Sequence, residues 1–136
     1  MGNQRAFLST GGFSQYLYVQ NGETIVANGM SAKVVTRFDD SEFHSSLQPY
    51  SNTSSLYFKR SDQGTHDIEQ MRYYIGRKAA IDFDWGHTHG HFKEGVVHIH
   101  VWVNGVRQPP ERLMNNQEMK RFGDLIKKAN PKAKFR

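Results

Sequence analysis

Apolar and polar positions alternate along most of this chain, which predicts strands far more often than helices. Residues 13–20, with Phe13, Tyr16, Leu17, Tyr18 and Val19, are rich in strand-formers, and Asn21-Gly22 follows as a hairpin signal. Glu23 to Ala27 reads as a return strand, Asn28-Gly29 as a second turn and Met30 to Phe38 as a third strand, so the first 38 residues predict a β-meander. Asp39, Asp40 and Ser41 offer N-caps for a short helix to about Leu47. Residues 48–55 read as a loop, Leu56 to Lys59 as a short strand and Ser61 to Gly64 as a turn. Ile68 to Ile75 and Ala79 to Trp85 flank Gly76-Arg77-Lys78 as a hairpin, although residues 66–73 also fit a helix. Val96 to Val103 is the clearest strand. Asn104-Gly105 closes it, and Pro109-Pro110 predicts an end to regular structure. Asn115 or Asn116 caps a last helix with Met119, Phe122, Ile126 and Ala129 on one stripe, stopped at Asn130-Pro131. The expected fold is α+β: a mainly antiparallel sheet with one short and one C-terminal helix.

The same alternation sorts side chains between faces. Val97, Ile99, Val101 and Val103 share one face, expected to be the core face; His98, His100 and Trp102 share the other. Ile81, Phe83 and Trp85 alternate with Asp82 and Asp84, and Met71, Tyr73 and Ile75 with Arg72 and Tyr74. If these three strands are neighbours, one surface carries Arg72, Tyr74, Asp82, Asp84, His98 and His100. The two histidines lie about 7 Å apart along their strand.

Composition sharpens this picture. At 136 residues the chain is expected to form one domain, 1–136, with a single core. Mean hydropathy of -0.72 implies a strongly polar surface, while 12% aromatics argue against disorder. The absence of cysteine removes disulfides, thiolate zinc sites and cysteine nucleophiles. No apolar run approaches the roughly 20 residues of a membrane helix, and residues 1–8 contain no signal-type apolar stretch. The net charge of +5 and pI near 9.6 favour an anionic partner such as RNA. Lys120, Arg121, Lys127, Lys128, Lys132, Lys134 and Arg136 concentrate that charge at the C-terminal end.

Five of the seven histidines lie between His87 and His100. Histidine serves both proton transfer near neutrality and metal coordination, and both chemistries fit. In metal-independent RNA cleavage, His98 and His100 form the acid–base pair, Asp82 and Asp84 orient them, and Arg72 steadies the phosphate. Tyr74, Trp102, Arg107, Lys120 and Lys127 would then contact substrate, with Arg112 also near enough to approach a phosphate. No cofactor is needed. In the alternative, His98, His100 and Asp84, completed by His87 or His89, bind a divalent transition metal such as Zn, Mn or Ni. His91 belongs to the same glycine-bounded link, with no fixed geometry. His87-x-His89-x4-Glu94 is similar to half of the cupin metal motif, but the second half is absent. His44 and His66 stand apart and read as incidental.

Residues 66–122 carry Arg72-Tyr73-Tyr74-Ile75-Gly76, Asp82-Phe83-Asp84, a His/Gly-rich link, His98-Ile99-His100-Val101-Trp102 and Glu118 on the final helix. This pattern resembles C-terminal toxin domains of bacterial polymorphic toxins and phage head-morphogenesis fusions. The resemblance covers under half the chain. It implies a small basic ribonuclease, with the β-rich fold shared by barnase, colicin and RelE-type enzymes. It also implies Asp82, Asp84, His98 and His100 as defining positions, action in the bacterial cytoplasm and an acidic inhibitor protein as partner. The competing expectation is a non-enzymatic phage or mobile-element protein with a structural metal site or a nucleic-acid-binding surface.

Overall fold

Three two-residue turns set the sheet's connectivity. Asn28-Gly29, Gly76-Arg77 and Asn104-Gly105 each have positive φ at both residues, the geometry that matches the twist of a tight hairpin. The computed structural model describes residues 4–5, 18–20, 23–37, 55–60, 67–86 and 95–136. Among these run β1 (Gln4–Arg5), β2 (Tyr18–Gln20), β3 (Thr24–Ala27), β4 (Met30–Arg37), β5 (Leu56–Arg60), β6 (Ile68–Ile75), β7 (Lys78–Asp84), β8 (His98–Val103), β9 (Val106–Leu113) and α1 (Asn116–Ala129). The architecture is α+β, as expected. The sheet order is β1-β2-β4-β5-β6-β7-β8-β9, with β3 also on β4. All pairings are antiparallel except β4 with β5.

The expected meander is corrected in one respect. Strands β2 and β3 do not pair with each other; both lie antiparallel to β4. The Asn21-Gly22 turn itself, the short helix near residues 42–47, most of the 48–55 loop and the 61–64 turn fall outside the described residues. The alternative of a helix at residues 66–73 gives way to β6, which pairs with β5 and β7.

Pro109-Pro110 does not end regular structure: β9 runs through both prolines. Ile99 pairs with Arg112 and Val101 with Gln108, so four residue steps on β9 oppose two on β8. The prolines sit in that irregularity, on the last strand of the sheet, where a missing N–H breaks no ladder.

Helix α1 starts where the sequence places it. The Asn115 side chain accepts from the Glu118 N–H at 2.8 Å, and Glu118 accepts from the Asn115 N–H at 2.9 Å, a reciprocal capping box. Its apolar stripe covers one face of the sheet, where Phe122 lies 5.0 Å from Phe83 and 5.4 Å from Tyr73 between ring centroids. Leu56, Phe58, Met71, Phe83, Trp85, Val97, Ile99, Phe122, Leu125 and Ile126 form this core. Val101 and Val103, expected on the core face, are 38% and 51% exposed. They share the parity of Ile99, but β8 extends beyond the part of the sheet that packs into the core.

Candidate functional site

Register joins the polar positions across three strands. Arg72 faces Asp82, and Asp82 faces His100; Gln70 faces Asp84, and Asp84 faces His98. Arg72, Asp82, Asp84, His98 and His100 therefore share the face opposite α1, and the same parity puts Tyr57, Lys59 and Val35 beside them. The expectation that this face lies at the surface is overturned. Arg72, Asp82, Asp84, His98 and His100 are all buried. Val35, Tyr57, Tyr74 and Ala79, with Trp102 packed on them, make a second apolar cluster on this side. Side chains are thus buried on both faces of the sheet, with an ionic group on the face opposite α1.

Burial forces those charges to pair. Arg72 donates through Nε and Nη2 to the two carboxylate oxygens of Asp82, the second bond being 2.9 Å. Its guanidinium also lies 4.8 Å from the Trp102 ring centre. Burial works against the charge on Arg72, but Asp82, with Tyr74 and Asp84, more than offsets it, so the group stays protonated. The phosphate-steadying role expected of Arg72 does not fit this setting, because its donors face Asp82.

Arg107 reaches the same carboxylates from β9, where it stands opposite Trp102. Its Nη2 donates to Asp84 Oδ2 at 2.6 Å, and its Nε lies 3.3 Å from Asp82 Oδ2. Its side chain is 37% exposed, so it links the buried carboxylates to solvent. Burial pushes the Asp84 carboxyl up to about 6, and the Asp82 charge adds to this; Arg107, Arg72 and a hydrogen bond from Gln70 pull the other way.

The two histidines meet Asp84 from one strand. His98 Nδ1 lies 3.2 Å from the Val96 carbonyl oxygen, a backbone contact that orients this ring. His100 Nε2 lies 3.8 Å from Asp84 Oδ2, an electrostatic neighbour beyond hydrogen-bond length. The imidazole rings stand 5.8 Å apart at 74°. One ligand atom from each of Asp84, His98 and His100 falls within 4.8 Å of the others, which groups three metal-ligating side chains in one place.

The remaining expected positions separate. Tyr74 is buried edge-on to Tyr57 at 5.8 Å, and burial raises its hydroxyl pKa, so it is a packed core group. Trp102 is half-buried against Arg72. Lys120 and Lys127 are exposed on α1, across the sheet from the ionic layer, and do not join it. Arg112 makes a two-point pair with Glu118 at 2.7 and 2.8 Å, so both are tied to the helix start. His87, His89 and His91 lie outside the described residues, as do His44 and His66.

Lys59 and Gln70 went unmarked in the sequence. Lys59 is 2% exposed and donates to Glu69 at 2.8 Å; Gln70 supports Asp84. Their parity with Tyr57 and Arg72 is the signal that picks them out. Among the described residues no helix is long and apolar enough to cross a membrane. No family model matches the chain, and no curated protein or solved structure matches it significantly.

Proposed function

We propose that the chain is a small toxin-type ribonuclease that cleaves RNA by metal-independent proton transfer. The observation that carries this reading is the grouping of two histidines, two carboxylates and two arginines on one sheet face, with Arg107 at its solvent side. The net charge of +5 fits a polyanionic substrate.

The roles divide by environment. His98 donates a hydrogen bond through Nδ1–H to the Val96 carbonyl, which makes Nε2 the basic nitrogen and suits it to accept the 2′-OH proton. His100, whose Nε2 lies 3.8 Å from Asp84 Oδ2, takes the acid role. The 2′-oxygen attacks phosphorus, the bond from phosphorus to the 5′-oxygen breaks, and His100 protonates that oxygen. The products are a 2′,3′-cyclic phosphate and a 5′-hydroxyl, and no water is consumed. Arg107 exchanges a carboxylate for the phosphate and stabilises its growing charge. Arg72 and Asp82 hold the floor of the site. On this reading an acidic inhibitor protein accompanies the chain in a bacterial cytoplasm.

The test is RNA incubated with the protein in excess chelator. Cleavage to 2′,3′-cyclic ends, lost in His100→Gln, supports the reading. RNA left intact by protein with a native circular dichroism spectrum overturns it.

A further inference from the structure

We infer that Asp84, His98 and His100 form a binding site for a divalent transition-metal ion, and that Arg107 is the group the ion displaces. The proposal does not depend on ribonuclease activity, because binding is read on the protein alone.

The backbone brings the three ligands together. His98 and His100 stand two residues apart on β8, and Asp84 is the cross-strand partner of His98 on β7. All three therefore project from one face, within the short reach of directly opposed and diagonal sheet positions. Their ligand atoms lie within 4.8 Å of one another. Metal bonds of about 2.0–2.2 Å require ligand separations of roughly 3–3.5 Å, so side-chain adjustment of about an ångström closes the site. The Val96 carbonyl already plays the part that a second partner plays at metal-bound histidines, fixing the ring with Nε2 as the basic nitrogen. Two imidazoles and one carboxylate suit Zn2+, Co2+ or Ni2+ rather than Ca2+ or Mg2+, which take all-oxygen sets. Three protein ligands leave a coordination position for a further oxygen.

The two carboxylates of the cluster have different partners. Asp82 has its own two-point partner in Arg72. Asp84 depends on Arg107, whose Nη2 donates at 2.6 Å to the same oxygen that faces His100. A dication between the histidines and that oxygen competes with Arg107 for it. Arg107 keeps its contact with Asp82 through Nε or turns to solvent. Removing a supporting partner lowers metal affinity roughly 10–100-fold; removing a competitor raises it. The direction of the Arg107 effect therefore separates this arrangement from one in which Arg107 merely supports the site.

The experiment is calorimetric titration of the chelator-stripped protein with ZnCl2, followed by CoCl2 absorption spectra and melting curves. One Zn2+ per chain is expected, with a raised Tm and no competition from excess MgCl2. His100→Gln and Asp84→Asn should each lose more than ~100-fold in affinity. Arg107→Gln should gain roughly tenfold, with circular dichroism and a melting curve confirming that the variant is folded. No Zn2+ binding to folded protein overturns the site. So does binding unchanged in a folded His100→Gln or Asp84→Asn. Weaker binding in Arg107→Gln overturns the displacement. Bound Zn2+ also occupies both histidines, so under the ribonuclease reading it inhibits cleavage; failure of cleavage without zinc leaves the binding result standing.

Discussion

Arg72 and Asp82 face one another on neighbouring strands and form a two-point ion pair with 2% and 0% of their side chains exposed. Such a pair contributes little beyond an apolar equivalent, but breaking it from one side leaves an uncompensated buried charge. Asp82→Asn should cost about 3–5 kcal/mol in urea denaturation. Arg72→Met combined with Asp82→Asn should cost clearly less than the two single changes together. Additivity within about 0.5 kcal/mol would show that the two side chains do not interact energetically.

Asp84 ties stability to pH near neutrality. Its folded carboxyl, at about 6, lies above the ordinary value of 3.8, so the folded protein binds that proton more tightly than the unfolded chain does. Its contribution is fully present below about pH 4 and is lost as pH rises through 6. Two units correspond to roughly 3 kcal/mol. In chelator, Asp84→Asn should flatten the decline between about pH 4 and 6 that this group produces. An unchanged slope in the variant would remove Asp84 as its source.

Glu118 acts in the opposite direction. Burial alone would raise its carboxyl pKa, but the Arg112 guanidinium and the Asn115 N–H outweigh that and hold it below the usual range. It stabilises the fold above the ordinary glutamate value, and this is lost as pH falls through the lowered one. Glu118→Gln should therefore lower Tm at pH 7 and make the acid limb less steep. The capping interactions involved are worth about 1 kcal/mol. An equal Tm loss at pH 7 and pH 3 would contradict the charge-based account.

Gly86 follows β7 where Glu69 comes close. A methyl group there would meet the Glu69 Cβ and Oε2 at 2.5 Å. Glu69 holds the buried Lys59 ammonium, so it cannot withdraw without exposing that charge to an unpaired setting. Gly86→Ala should destabilise by about 1–3 kcal/mol. Gly86→Ala in a Lys59→Met background should cost less, measured in the same denaturation series.

Strand parity made the membership of the polar face legible. Arg72, Asp82, Asp84, His98 and His100 alternate with apolar neighbours, and the turn residues Gly76 and Asn104 set the hairpins that align them. Its burial was not legible, because charged and imidazole side chains alternating with apolar ones read locally as a solvent-facing pattern, whereas Arg72, Asp82, Asp84, His98 and His100 are buried. The lysines of α1 show the converse. Their helix was readable from the Met119, Phe122 and Ile126 spacing, but which sheet face it covers was not. Pro109 misled because a proline's cost depends on whether its strand has a neighbour on the N–H side, which local sequence does not record.

That pair of prolines has a consequence for how the sheet ends. A terminal strand with regular unpaired N–H and C=O groups is a template on which another strand can dock. Across Pro109 and Pro110, β9 offers no such donors and its register is broken, while Arg107, Glu111 and Arg112 add charge to the same stretch. The strand that delivers Arg107 to the ionic layer is therefore also the one that discourages the sheet from growing, chain upon chain, past its own rim.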